Sequence, residues 1–317
     1  MHPVIDEGKL AYIDCDGDIV LKTAFDSGGK FHNDRANVWR GKKVGFLNSK
    51  GETVIPPHYD SADRFTGEGY CRVKVNGRWG LINRDNEFVI KPVYKNMGNC
   101  VCGIVGLEID SESPISYIDI KSMKEICRSN YPGIREFSNG LLACDDTGSG
   151  LYGYVDTGGE WRIAPAYSFT RTFSEGLGAV DSAGKKIKTG FINSRGEIVI
   201  TCKFKTGPGA GFRCGRAVVW QTKRDTTIAG VIDTSGELTV DYKFAFIDNY
   251  SEGLAAAAEE RNPDLYGYID AKGDYVLQPS FESARPFSDG LAYVHGKTHE
   301  GYINTAGDFV WRKKTEG

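Results

Sequence analysis

No stretch of the chain approaches the ~20 consecutive apolar residues of a helix that spans a bilayer. The N-terminus, MHPVIDEGKLAYID, has no cationic segment followed by an apolar one. A cytoplasmic protein with no membrane partner is expected. An excess of one charge is missing too: 39 Lys and Arg against 42 Asp and Glu leave a formal −3, with a pI near 6.0. That balance lacks the basic footprint of a nucleic-acid binder or of a membrane-surface helix, so neither role is expected. Histidine is scarce, with five residues at positions 2, 32, 58, 295 and 299, which leaves few places for histidine-dependent catalysis or metal binding. Regular cysteine spacing is absent as well. The eight cysteines, at 15, 71, 100, 102, 127, 144, 202 and 214, fall irregularly in a chain long enough to bury a core without staples. They read as reduced thiols.

What the chain has in quantity is glycine (40), tyrosine (16) and phenylalanine (16), against three methionines. Turn formers and aromatics favour strands over helices. Self-similarity then supplies the organisation. One phrase recurs as Ala11-Tyr12-Ile13-Asp14, Gly45-Phe46-Leu47-Asn48, Gly80-Leu81-Ile82-Asn83, Ser116-Tyr117-Ile118-Asp119 and Gly153-Tyr154-Val155-Asp156. It continues as Gly190-Phe191-Ile192-Asn193, Gly230-Val231-Ile232-Asp233, Gly267-Tyr268-Ile269-Asp270 and Gly301-Tyr302-Ile303-Asn304, at intervals of 34 to 40 residues. A second phrase follows about twenty residues later, as in Phe173-Ser174-Glu175-Gly176-Leu177 and Tyr250-Ser251-Glu252-Gly253-Leu254. Between them lies an apolar segment ending in Pro-x-aromatic, as in Val89-Ile90-Lys91-Pro92-Val93-Tyr94.

Each unit therefore holds three apolar runs of four to six residues bounded by Gly, Asn or Asp, which is strand length. The Asx that closes the first phrase can bond the backbone two residues on, and the glycine three residues later accepts positive φ. Asn76-Gly77 reads as a tight hairpin. Runs such as Gly253-Leu254-Ala255-Ala256-Ala257-Ala258 put apolar groups on both strand faces, so successive units must stack face to face. The expected fold is all-β, about nine tandem three-stranded antiparallel meanders in one array over 1–317. The units run approximately 3–33, 34–64, 65–99, 100–136, 137–172, 173–211, 212–249, 250–286 and 287–317, so the array is expected to begin and end on unit boundaries. A propeller-like arrangement is favoured, with an open superhelical β-solenoid as the alternative. The connector after the Pro-x-aromatic is expected to return the chain across the sheet to the start of the next unit.

The units resemble the WG (KWG) repeat of bacterial proteins, in which Trp-Gly or its equivalent opens Gly-Tyr-Ile-Asp, followed by Val-Ile-x-Pro-x-Tyr and Phe-Ser-Glu-Gly-Leu-Ala. Trp79-Gly80-Leu81-Ile82-Asn83 with Val89 to Tyr94 is the nearest copy, and the likeness covers residues 4 to 311. Val44, Tyr152, Thr189 and Tyr266 stand where the family has Trp. The resemblance implies a repeat scaffold associated with protein interaction, and it transfers no catalytic residue.

Candidate chemistry is thin. The nine Asx positions, including the calcium-like Asp14-Cys15-Asp16-Gly17, supply one side chain per loop where Ca²⁺ takes six to eight oxygens, so they read as turn residues. Ser-Glu-Gly reads as a tight turn, because no histidine series accompanies it. His295 and His299 are spaced like metal ligands across a hairpin loop with no third ligand near. Cys100 and Cys102 would share a strand face, with no second pair to complete a site. Tyr154, Tyr268, Trp161, Trp220 and Trp311 read as interlayer core more readily than as stacking platforms for a sugar or peptide. No catalytic, cofactor or metal residue is assigned, no cofactor is expected, and binding residues are unknown. The expected function is a non-catalytic scaffold for another protein, of adaptor or immunity type. Carbohydrate or small-ligand binding through the repeat aromatics is the alternative, and an enzyme in a central channel is less favoured. Contacts are expected at irregular connectors, namely Asn99 to Ser116 with its Glu108 to Pro114 insertion, Gly207 to Phe212, and Lys223 to Thr227.

Overall fold

The computed structural model describes residues 1–131, 133–146, 148–184, 188–204, 211–223 and 226–313. Residues 207–210 and 224–225, on which two of the irregular connectors fall, lie outside the described residues. All regular structure among the described residues is β-strand. Among the described residues, nine antiparallel meanders follow one another along seven sheets, because two six-stranded sheets each hold two meanders. The arrangement is propeller-like. Two compact units make up the chain, Met1–Asp14 with Asp18–Pro165, and Cys15–Gly17 with Ala166–Gly317.

The third meander shows the local logic. Its strands are Cys71–Val75, Arg78–Ile82 and Phe88–Tyr94. Asn76 and Gly77, with φ of 50° and 78°, make the two-residue turn expected of Asn-Gly, and Val75 pairs with Arg78 across it. Asn83 makes the next turn: its Oδ1 accepts the backbone amides of Asp85 at 3.0 Å and Glu87 at 2.9 Å. The same double acceptance recurs at Asn48, Asp156, Asn193, Asp233, Asp270 and Asn304. One Asx oxygen thus satisfies two amides that the turn takes out of the strand ladder.

The connector does not cross back as a free loop. After Tyr94 the chain stays extended, and Asn96–Met97 pairs with the next meander as a short fourth strand. Ser27–Gly28, Ser61–Ala62 and Ser283–Ala284 do the same. In the six-stranded sheets the two parts fuse, so that Trp161–Thr170 and Leu238–Ile247 each end one meander and start the next. Pairing satisfies backbone groups that a bare crossover would leave to water.

Stacking follows from alternation along the middle strand. In Phe46-Leu47, the Phe packs toward the following meander and the Leu toward the preceding one. Tyr268 and Ile269 divide in the same way. Phe46 meets Phe65 with ring centroids 4.9 Å apart, Phe191 meets Phe212 at 4.9 Å, and Tyr268 meets Phe287 at 4.7 Å, all edge to face. The aromatics of the middle strand, Tyr154 and Tyr268 among them, are therefore interlayer core, whereas Trp161, expected there too, is exposed on an outer strand and Trp220 and Trp311 are half-buried. Where the slot holds Tyr, its hydroxyl also finds connector backbone: Tyr12 donates to the Gly29 carbonyl at 2.9 Å and Tyr268 to the Arg285 carbonyl at 2.7 Å. Burial raises the pKa of both phenols, so they remain donors.

The glycine ahead of that aromatic has a steric reason. A Cβ on Gly80 would lie 2.7 Å from the Ile90 carbonyl oxygen and 2.8 Å from the Pro92 nitrogen. On Gly45, Gly153 and Gly267 it would lie 2.3, 2.3 and 2.4 Å from the matching carbonyls of Ile55, Ile163 and Leu277. These are backbone atoms, which cannot swing aside. Gly80→Ala should therefore cost about 1–3 kcal/mol in urea unfolding, as an overpacked site does. Gly67→Ala, at a position with open space and no positive φ, should stay within about 0.5 kcal/mol.

Candidate functional site

Among the described residues, the turn ahead of the first strand is a second two-residue hairpin in seven of the repeats. In Ser138-Asn139-Gly140-Leu141 the outer residues exchange backbone hydrogen bonds of 2.9 and 3.0 Å, and the central pair has φ of 53° and 73°. The same turn recurs at 32–35, 101–104, 174–177, 213–216, 251–254 and 288–291. Its first central position is left-handed yet holds Glu175, Glu252, Cys102 and Cys214, residues that disfavour that region.

The acids there reach one repeat ahead. The Glu175 carboxylate accepts the amides of Cys214 at 2.7 Å and Gly215 at 2.8 Å, and Glu252 accepts the amide of Gly290 at 3.1 Å. Glu68, one turn position later in its own repeat, accepts those of Cys102 at 2.6 Å and Gly103 at 2.8 Å. The serine joins in, Ser174 and Ser251 each donating from Oγ at 2.6 Å to the carbonyls of Phe212 and Phe287. Ser-Glu-Gly is thus a tight turn, as its sequence indicates, and also a link to the next turn, which spacing alone did not reveal. A glutamate at a position that favours Asn or Gly was the available signal.

Turns linked in this way stand side by side within a compact unit, and the residue just before the motif aromatic varies from copy to copy. Those positions read Lys30, Arg64, Asn99, Glu136, Thr172, Gly211, Asn249 and Pro286, with no shared chemistry. In the first compact unit, Arg64, Asn99 and Glu136 line one cavity of about 280 Å³ together with His32, Asn33 and Thr66. Four consecutive repeats contribute. Asn99 donates from Nδ2 to Glu136 Oε1 at 2.7 Å, tying the fourth repeat to the fifth. Arg84, from the Asx turn of the third repeat, donates to the Asn33 carbonyl. The cavity therefore presents a guanidinium, a carboxylate, an amide and an imidazole on a frame held by backbone hydrogen bonds.

The other sequence candidates separate. Cys100 is buried and Cys102 is exposed at the left-handed turn position, with φ of 55°, so the two do not share a strand face. Cys102 was read as strand because its apolar neighbours hide the turn. Burial pushes the Cys100 thiol up to about 12. His295 ends the strand Ala292–His295 and His299 lies in the following loop, as expected; His295 faces Glu282 at 3.5 Å and Glu300 at 3.9 Å. Among the described residues, no group of three or more His, Cys, Asp or Glu is placed to hold a metal ion. The Glu108 to Pro114 insertion is an exposed hairpin tip closed by Asp110, whose carboxylate accepts the amides of Glu112 at 3.0 Å and Ser113 at 2.8 Å.

Comparison with known proteins places these features. The WG containing repeat matches residues 45–79, 79–110, 152–185, 190–219, 230–260 and 266–294. The copies outside the match, at Lys9–Ile13, Ile115–Asp119 and Glu300–Ile303, are ones whose second and third strands shift register only once. Two of them hold Ala11 and Ser116 in the glycine slot. No curated protein matches the sequence. Among solved structures, a eukaryotic initiation factor is similar at TM-score 0.51 and 9% identity, over 90% of this chain and 96% of that one. Hsv2p of Kluyveromyces lactis gives 0.45 and 10%, over 74% and 88%, and AztD of Citrobacter koseri 0.40 and 14%, over 87% and 92%. At 9% identity the likeness to the initiation factor is one of fold.

The linking acid has a measurable consequence. Glu175→Asn suits the left-handed backbone better, yet should lower stability by about 1 kcal/mol in urea unfolding, because the amides of Cys214 and Gly215 lose a charged acceptor. Asn139→Gly, at the equivalent turn of the fifth repeat, should change stability by less than about 0.5 kcal/mol.

Proposed function

The chain belongs to the WG containing repeat family, and on that premise we propose that it is a non-catalytic cytoplasmic scaffold that recognises another protein, of adaptor or immunity type. The partner meets the face where the turns of the second to fifth repeats converge. His32, Arg64, Asn99 and Glu136 select it.

The supporting observation is the division of labour within the repeat. The Asx oxygens, the linking glutamates and the tyrosine hydroxyls of the recurring phrases are consumed by the scaffold's own backbone. Side chains at the position before the motif aromatic differ from copy to copy, and in the third to fifth repeats those side chains, Arg64, Asn99 and Glu136, are brought to one cavity with His32 of the second. A rigid frame with variable residues gathered at one end is how repeat proteins present a recognition surface.

The test is affinity capture from a lysate of the source cells, comparing the native chain with the triple variant Arg64→Glu, Asn99→Ala, Glu136→Arg. Retention of a specific protein by the native chain, lost in a variant of unchanged melting temperature, is the expected result. Equal retention by the folded variant contradicts the assignment of the face. Failure of the native chain to retain any protein contradicts protein recognition altogether.

A further inference from the structure

The second compact unit holds a larger cavity, about 520 Å³, whose position and chemistry differ from those of the turn face. It lies where the strand Leu238–Ile247, shared by the seventh and eighth meanders, passes the hairpin tip Glu259-Glu260-Arg261 and the edge strand Tyr275–Phe281. Its volume is in the range of sites that enclose small organic ligands, about 300–1,000 Å³.

The wall combines two surfaces. One is aromatic: Tyr242, Phe244 and Tyr275, with the rings of Phe244 and Tyr275 edge to face at 5.9 Å. The other is polar and of mixed sign. Glu259, Glu260 and Asp274 face Lys243 and Arg261, with the Gln278 amide beside them. Three acids against two bases leave the wall within one unit of neutral, which suits neither a phosphorylated ligand nor a strongly cationic one. Carboxylates accept hydroxyl protons in pairs, while the guanidinium and amide donate to ring and hydroxyl oxygens.

Tyr275 adds a second, independent observation. Its hydroxyl oxygen is buried and, among the described residues, has no hydrogen-bond partner. Other tyrosine hydroxyls of the fold are engaged, as at Tyr12, Tyr59, Tyr250, Tyr268 and Tyr293. A buried phenol left alone costs about 1–3 kcal/mol, so its position on the wall of a polar cavity is that of a group awaiting a partner. Burial and the nearby Glu259 push its pKa up to about 12, which keeps it a donor at neutral pH.

We propose that this cavity binds a neutral saccharide of one or two rings, packed on the Tyr242 ring and hydrogen-bonded through its hydroxyls to the Tyr275 hydroxyl, Glu259, Asp274, Arg261 and Gln278. The site is separate from the protein-recognition face and stands or falls independently of it. Specificity comes from the count of equatorial hydroxyls that the acids and Arg261 can pair. The aromatic rings contribute affinity for the apolar face of the sugar.

Isothermal titration of the full chain with maltose, cellobiose, lactose and chitobiose tests this. At least one disaccharide should bind saturably at a single site. Tyr275→Phe should weaken that binding about threefold to tenfold through loss of one hydroxyl. Gln278→Ala, at an exposed position that leaves the fold intact, should weaken it by a similar factor. Tyr242→Ala should abolish it. Absence of binding by all four sugars overturns the proposal, and so does binding whose affinity is unchanged in both Tyr275→Phe and Gln278→Ala.

Discussion

The constraint on which the repeat depends is the close approach of one backbone to another at the glycine of the middle strand. In the third repeat Trp79 pairs with Tyr94, Leu81 with Ile90 and Ile82 with Phe88, so the outer strand carries two extra residues and then one more against the same partner. The second, sixth, seventh and eighth repeats shift twice in the same manner. A carbonyl of the outer strand lies over the glycine, where any side chain would collide, and the Trp311 carbonyl lies over Gly301 in the same way although that pair shifts only once. Proline follows in four of these close approaches, at Pro57, Pro92, Pro165 and Pro279. It has no amide hydrogen to lose at a point where the ladder is broken. A bulge bends its strand and increases local twist. That bend accompanies the passage of the outer strand from its own sheet to the edge of the next.

From this step follows the rest of the architecture. With the outer strand carried on to the next meander, the connector pairs as a short fourth strand and brings the motif Phe under the aromatic of the preceding repeat. Each interlayer core then draws on two consecutive repeats, as where Val44, Phe46 and Ile55 meet Phe65, Val73 and Ile82. The two-residue turns line up as a result, close enough for the Glu175 carboxylate to hold the amides of Cys214 and Gly215. In the second compact unit, Gly17 lies against Val310 as Gly307 lies against Leu277. Most repeated polar groups are committed to this framework, which leaves the variable positions and a few cavities for recognition.

Much of the frame was legible in the sequence because its signals are local. The Gly-Tyr-Ile-Asx phrase carries its turn chemistry within four residues, and Asn48 and Asp233 act as that chemistry requires. Apolar residues on both faces of the Ala255 to Ala258 strand forced stacking, and all four are buried. Interactions that join one repeat to the next were hidden. Nothing within the Phe173 to Leu177 phrase indicates that Glu175 bonds a turn 39 residues on. The fourth strand was read as a crossover because Ser61–Ala62 and Asn96–Met97 are too short to show a strand period. Cys100 and Cys102 were read on one strand face, since periodicity does not register a left-handed residue. The convergence of Arg64, Asn99 and Glu136 was invisible for a related reason: variability becomes a site only once the turns are known to stand together.

The close approach at the glycine is open to a direct measurement. Alanine is introduced singly at Gly80, Gly267 and Gly301, where a Cβ would lie 2.7, 2.4 and 2.1 Å from a carbonyl oxygen of the outer strand, and at Gly67, where space is open. Urea unfolding gives the cost of each change. The expected result is that alanine costs about 1–3 kcal/mol at the three middle-strand positions and less than about 0.5 kcal/mol at Gly67. A cost at Gly80, Gly267 and Gly301 no larger than that at Gly67 would contradict the account, because the glycine would then not be required by the strand that passes over it.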